Sequence, residues 1–302
     1  MEHSITINAP TATVQEIICE ATRWPVYFPP TIACEQVLEE PGQESLKLWA
    51  RNGDSDHVVS WRSVREVDAA RTRVAFRQVE PVPPLTSMSG AWTVRQIDER
   101  TTELGLTHAL GAADQDALRA AAEATDFNST TELAGIKTLA ETYGDSLSDH
   151  FIQTHDEIHI GAAPSQVFAL LWDVSAWPRL LRHVDAVTVH SQDEDQHRFS
   201  MTLAGGSASA HGIESVRVAR TDEWIAFKQT RTPDGVYGHA GTWTMTAVDG
   251  GTLVMVRHLA LLERVEASAL HDLSTRLSTN LRRSSLATLE VVRSATETTS
   301  AS

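Results

Sequence analysis

At 302 residues, with 41% hydrophobic and 22% charged side chains, the chain has the length for two domains, each with a core of its own. Its formal charge of −15 excludes a protein that tracks nucleic-acid phosphates, which needs a basic face, and no run of about 18 apolar residues offers a membrane span. The N-terminus has no basic flank leading into an apolar stretch, so no secretory signal is expected and the cytoplasm is the expected compartment.

Ser4 to Asn8 reads as a short strand, and Pro10 suits the first turn of an amphipathic segment that ends near Trp24-Pro25. Cys19 and Cys34 fall outside any C-x-x-C spacing, so they are expected to be reduced thiols without redox or zinc chemistry. Alternating runs follow, separated by turn-forming stretches such as "EEPGQ" and "RNGDSD". In the run Val59 to Asp68, alternation puts Val59, Trp61, Ser63, Arg65 and Val67 on one face. "VAFRQ" (Val74 to Gln78) and Gly90-x-Trp92-Thr93 come next, then a last strand on which Leu104, Leu106, His108 and Leu110 share a face. Asp114 to Tyr143 has a helical pattern, and "GDSLSDH", Gly144 to His150, has no apolar period and reads as a linker.

The second half repeats the first in order. Trp24-Pro25 returns as Trp177-Pro178, Ser63-Val64-Arg65 as Ser215-Val216-Arg217, "VAFRQ" as "IAFKQ" (Ile225 to Gln229), Gly90-x-Trp92-Thr93 as Gly241-x-Trp243-Thr244, and His108 as His258. A spacing of about 150 residues marks a duplicated domain rather than a solenoid. We expect one copy over residues 1–145 and the other over 146–302. The second copy opens on a strand at Glu157 to Ile160 with Pro164 beyond it, and "VDGG" forms a hairpin between Trp243 to Val248 and Thr252 to Leu262. It closes on a helix from Val265 to about Val292, marked by Leu270, Leu273, Leu277 and Leu281, with a frayed polar tail. The expected class is α+β: in each copy a curved antiparallel sheet wraps a long final helix, with a pocket between them.

On the strand "HGIESVRVAR", His211, Ile213, Ser215, Arg217 and Ala219 share a face, so an arginine turns inward twice. One reading is a structural ion pair or a misassigned edge. The other is a wet pocket, because a charge in an apolar interior must be paired or must meet a polar ligand. His108 and His258 recur among apolar neighbours, where a histidine is more often a core residue than a catalyst. Trp24, Trp61 and Trp92, with Trp177 and Trp243, offer flat apolar surface. "HDEIH", His155 to His159, is no zinc helix: its glutamate is one position late, and in a strand residues four apart stand roughly 13 Å from each other. "GGSAS", Gly205 to Ser209, lacks the nucleophile elbow, and no P-loop or G-x-G-x-x-G occurs. No metal or cofactor is expected.

"RWPVYF" (Arg23 to Phe28), "SWRSVR" (Ser60 to Arg65), "RQVE" (Arg77 to Glu80) and Trp92 resemble the aromatase/cyclases of bacterial type II polyketide synthases, specifically their two-domain form. The resemblance covers nearly the whole chain. It implies two tandem helix-grip domains related to START lipid-binding domains. It also implies a cytoplasmic bacterial enzyme of antibiotic and polyketide biosynthesis that works without a cofactor. Such an enzyme takes a linear, ketoreduced poly-β-ketone from the acyl carrier protein of a minimal synthase. It joins the seventh and twelfth carbons by aldol condensation and dehydrates the ring to an aromatic one. Carried over by residue, the catalytic pair falls on Arg65 and Ser63, with Arg217 and Ser215 in the second copy. The pocket residues fall on Trp24, Trp61, Trp92 and His108, and on Trp177, His211, Trp243 and His258. A Glu-Tyr pair of the single-domain members is replaced by Pro30-Thr31 and by His183-Val184, and the strand tryptophan of the second copy is Ile213. Two rivals share the fold: a non-catalytic carrier of a lipid or polyketide, and an interaction module with a filled core.

Overall fold

The computed structural model describes residues 1–51, 57–81, 83–203 and 212–300, without the side chains of 297–300. The chain forms two compact units, one made of Met1–Ala50 and Val59–Asp149, the other of His150–Ser302 together with Arg51–Val58. Each is an α+β domain with a seven-stranded antiparallel sheet and a long closing helix.

The first contains β1 (Glu2–Ile7), α1 (Thr11–Cys19), α2 (Trp24–Tyr27), β2 (Thr31–Glu40), β3 (Gln43–Arg51), β4 (Val58–Val67), β5 (Arg73–Gln78), β6 (Leu85–Asp98), β7 (Thr101–Ala112) and α3 (Gln115–Tyr143). Its strand order is β1-β7-β6-β5-β4-β3-β2. After α4 (Leu147–His150), the second repeats the plan with β8 (Phe151–Ile160), α5 (Pro164–Trp172), α6 (Trp177–Leu180), β9 (Val184–Gln192), β10 (Gln196–Leu203), β11 (Ile213–Arg220), β12 (Trp224–Arg231), β13 (Val236–Val248), β14 (Gly251–Leu262) and α7 (Ala267–Ser300). Its order, β8-β14-β13-β12-β11-β10-β9, matches the first strand for strand. The meander arises because consecutive strands are joined by tight turns, which allow only antiparallel pairing.

Alternation decides which residues enter the core. On β7, Thr102, Leu104 and Leu106 are fully buried, and Val74 of β5 and Trp92 and Val94 of β6 face the same layer. From α3, Leu133, Ile136, Leu139 and Ala140 complete it. Each such large aliphatic side chain contributes about 1.5–3 kcal/mol relative to exposure. Asp114 caps α3, its carboxylate accepting from the Ala117 N–H at 2.8 Å.

Two expectations are corrected here. The Gly144–His150 stretch is not an open linker: Gly144–Ser146 is a 3-10 turn, α4 follows, and Leu147 and His150 are buried. One apolar residue in a polar run suffices to pin it down. The polar tail does not fray at Val292, since helix continues to Ser300. No glycine or proline interrupts it, and Thr296 is buried with its hydroxyl on the Val292 carbonyl at 3.0 Å. The His155–His159 segment lies within β8.

Candidate active site

The inward arginine of the first domain closes off the end of a helix. The last carbonyls of α1 have no partner within the helix, and its C-terminus carries partial negative charge. Arg65 Nη1 donates to the Ile18 carbonyl and Nη2 to the Cys19 carbonyl, both at 2.8 Å, while Trp24 Nε1 donates to the Ile17 carbonyl at 2.8 Å. The Trp24 ring lies 5.0 Å from the guanidinium carbon. From β3, Glu44 accepts from Arg65 Nε at 2.6 Å and from Nη2, and it is itself held by Gln36. Arg65 therefore turns inward as its alternation predicts, and it is also the structural ion pair of the blander reading. At 2% exposure, with most of its N–H groups committed, it presents no open donor face. Ser63 is likewise buried, donating to the Arg77 carbonyl at 3.1 Å.

Accessibility appears further along the same face. Trp24, Trp61, Phe76, Gln78, Met88, His108 and Leu110 are only partly buried, whereas Val74, Trp92, Leu104 and Leu106 behind them are closed. The partly buried face of the first half of α3 carries Ala117, Leu118, Ala121 and Ala122. Gly90 shapes this part of the sheet: a Cβ there would stand 2.0 Å from the Thr107 carbonyl oxygen and 2.6 Å from the Phe76 ring. Without that Cβ, Phe76 reaches His108, ring centroids 5.4 Å apart and edge-on. Ser129 of α3 gives its proton to the Thr125 carbonyl at 2.7 Å, which leaves its oxygen to accept from His108 Nδ1 at 3.4 Å. Nε2 of His108 then carries the lone pair, with no partner among the described residues. Burial first, then the charges of His3 and the N-terminal ammonium, pull His108 down to about 4, so the ring is neutral at pH 7.

The second domain keeps the scaffold and fills the space. Arg217 Nη1 donates to the Leu171 carbonyl at 3.0 Å and Trp177 Nε1 to that of Leu170 at 3.3 Å, repeating the helix-end contacts of Arg65 and Trp24. Opposite Arg217 stands His197 rather than a carboxylate. The guanidinium carbon is boxed by Trp177 at 4.4 Å, Trp243 at 4.7 Å and Phe199 at 5.1 Å. Burial pulls Arg217 down to about 9, and its Nε and both nitrogens of His197 lack partners among the described residues. His258 bonds Ser285 at 2.5 Å and His239 at 3.0 Å. Ile213, Ser215, Phe227, His239, Trp243 and His258 are all buried. Where α3 has alanines, α7 packs Leu273 and Leu277 on Ile152, Val236, Ala260 and Leu262. His211 lies outside the described residues.

Residues 1–141 and 160–277 each match a family model described as polyketide cyclase / dehydrase and lipid transport. A granaticin polyketide synthase bifunctional cyclase/dehydratase of Streptomyces violaceoruber is 32% identical, over 95% of this chain and 91% of that one. The chain belongs to the polyketide bifunctional cyclase/dehydratases. The actinorhodin counterpart of Streptomyces coelicolor is 30% identical over 95% of this chain and 93% of its own. Among solved structures, the di-domain ARO/CYC BexL superposes with a TM-score of 0.76 at 29% identity, covering 98% of both chains. The di-domain ARO/CYC StfQ superposes at 0.81 over 100% of both, at 22% identity, which speaks to the fold.

In this cyclase/dehydratase the sequence-predicted residues divide by access. Trp24, Trp61 and His108 keep open surface; Ser63, Arg65 and Trp92 form the wall behind them; Ser215, Arg217, Trp177, Trp243 and His258 are enclosed. Three residues that the sequence reading missed belong to the first domain's site: Glu44, Ser129 and Glu132. Glu44 shares its face of β3 with Leu46, Leu48 and Ala50, a charge among apolar residues that signals a buried partner. Ser129 is buried on the inward face of α3, and Glu132, three residues on, is partly buried.

Proposed function

We propose that this cyclase/dehydratase joins the seventh and twelfth carbons of a ketoreduced poly-β-ketone delivered by an acyl carrier protein, and that it dehydrates the ring in the first domain. The carrying observation is the difference between two copies of one scaffold: the inner face opens at Trp61, Phe76 and His108 and is closed at Ile213, Phe227 and His258. A chain of ketones is acidic between its carbonyls, and both ring closure and loss of water are redox neutral, so no cofactor is required. The work consists of folding the chain, holding an enolate and moving protons. Trp24 and Trp61 supply flat walls against which the chain coils. His108, neutral and with Nε2 free, is placed to bind or exchange a proton. Arg65 and Ser63 act through position: Arg65 with Glu44 fixes the end of α1, and with it the Trp24 wall.

Both carrier proteins and this chain are acidic, so docking rests on local arginines rather than net attraction. Exposed Arg73 and Arg77, and Arg179 and Arg182, are candidates, whereas Arg71 is engaged with Glu20.

The test is reconstitution with a minimal synthase and ketoreductase, comparing wild type with Ala121→Leu, which gives α3 the side chain that closes the second domain. Wild type is expected to change product identity and the variant to return the products seen without it. Unchanged product from a folded Ala121→Leu protein would move the chemistry out of this cleft. Wild type that alters only solubility would make the protein a carrier.

A further inference from the structure

The second domain buries a cation for which the described residues supply no counter-ion. Arg65 and Arg217 are both enclosed, and each gives guanidinium N–H groups to the carbonyls at the end of the helix before it. There the likeness ends. In the first domain the Nε edge of Arg65 meets the carboxylate of Glu44. The spacing that carries Trp24 to Trp177 carries Glu44 to His197, which stands directly across from Arg217 on the neighbouring strand. An imidazole brings no negative charge to that edge.

The unpartnered polar atoms around Arg217 are donors. Its own Nε, Trp243 Nε1 and both ring nitrogens of His197 are buried and without a hydrogen-bond partner among the described residues. His197 is held in place by stacking on Trp172 at 4.1 Å and edge-on against Phe199 at 5.3 Å. Burial, and then the charge of Arg217, lowers it to about 3, so at pH 7 the ring is neutral and donates through one nitrogen. Arg217 itself, lowered by burial to about 9, is still a cation there. The acids nearest in the sheet are engaged elsewhere, Glu214 with Arg231 and Asp156 with Arg282. The faces of Trp177, Trp243 and Phe199 ease the charge, but they leave the N–H groups of Arg217 Nε and Trp243 Nε1 without an acceptor. A buried charge must be paired or meet a polar ligand, and a buried donor left unpaired costs its full desolvation.

We propose that the second domain binds one small monovalent anion, a halide or a formate-sized carboxylate, at Arg217 Nε, with Trp243 Nε1 and the His197 N–H as further donors. The anion does for Arg217 what Glu44 does for Arg65. One guanidinium boxed by three aromatic rings compensates a single negative charge in a small space, which selects against larger and divalent anions. Because such an anion binds only the folded domain, it stabilises that domain by mass action. The first domain, which carries its own carboxylate, has no such dependence.

The test uses the full chain at constant ionic strength, with gluconate replaced stepwise by bromide or by formate. Gluconate has the same charge on a chain too long for an enclosed site. In wild type labelled with heavy nitrogen, the Arg217 Nε–H and Trp243 Nε1–H signals are expected to shift saturably, a readout that needs no variant. Amide protection of β10 and β11 is expected to rise, approaching about tenfold for each tenfold of anion above the dissociation constant, while β7 and α3 stay level. A response to bromide alone assigns the site to a halide, and a response to formate alone assigns it to a carboxylate. His197→Glu, which copies the pair of the first domain, is expected to reach in gluconate the protection that wild type has with anion, and to gain nothing more. Arg217→Met is expected to be insensitive to either anion. Unshifted Arg217 and Trp243 signals with both anions overturn the proposal, as does a gain in protection that persists undiminished in Arg217→Met.

Discussion

Arg65 and Arg217 hold the same place in their domains and meet different partners. Arg65 faces Glu44 across neighbouring strands; Arg217 faces His197 and three aromatic rings. Removing one member of a buried pair strands the other, at about 3–5 kcal/mol, whereas replacing both by apolar groups of similar volume is close to neutral. Arg65→Met is therefore expected to unfold at distinctly lower denaturant, and Glu44→Leu/Arg65→Met to recover most of the loss. Arg217→Met is expected to be milder because it leaves no orphan carboxylate. Chemical denaturation of the three proteins checks the order, and equal loss in Arg65→Met and the double variant would refute the pairing. Sequence made half of this legible. Alternation and repetition gave the inward direction of both arginines, but not what Arg65 meets. Glu44 lies 21 residues away on another strand. Only its position among Leu46, Leu48 and Ala50 hinted at it.

The elements explain why one scaffold opens and the other closes. The repeated Gly-x-Trp-Thr motif, visible in the sequence as a repeat without a reason, marks where β6 and β13 pass tightly under a phenylalanine. A Cβ on Gly241 would stand 2.5 Å from both the Arg257 carbonyl oxygen and the Phe227 ring, as Gly90 meets Thr107 and Phe76. Gly90→Ala must shift backbone as well as side chain, so a cost of about 1–3 kcal/mol is expected, with Phe76 driven from His108. Reconstitution should then show shunt products at temperatures where the protein is still folded. Normal product with undiminished stability would mean that the sheet relaxes and that Phe76 does not shape the site. Part of the contrast between helices was also written in the sequence: Leu270, Leu273 and Leu277 were readable as a packing stripe, whereas the alignment of Ser129 with Ser285, which places Ala117 and Ala121 opposite Leu273 and Leu277, came only from the structure. What a reading of α3 as simply helical passed over was Glu132, partly buried three residues on from Ser129, since a single glutamate among exposed polar residues looks like solvent-facing charge.

At the scale of the whole chain, the two domains should part company in acid. A histidine buried neutral has a folded pKa below its unfolded value of about 6.5. Its contribution is whole above that value and is lost as pH falls toward the folded one, because only the unfolded chain takes up the proton readily. Among the described residues of the second domain, three such rings are fully buried: His197, lowered by burial and then by Arg217 to about 3; His258, lowered by burial to about 4; and His239, lowered well below its ordinary value by burial and by His258. The first has His108, at about 4. Glu132 works in the opposite sense there. Its raised pKa means that its charged form is disfavoured on folding, and that penalty is relieved as pH falls through about 7. Between pH 6.5 and 4 the second domain is therefore expected to lose several kcal/mol while the first loses less. Amide hydrogen exchange on the full chain at pH 7 and pH 5, corrected for the intrinsic pH dependence of exchange, checks this domain by domain. Protection should fall first in β10, β13 and β14, around His197, His239 and His258, while β7 and α3 remain protected. Simultaneous loss in both domains would refute this order, and undiminished protection in both at pH 5 would show that the buried histidines take up protons without unfolding their surroundings.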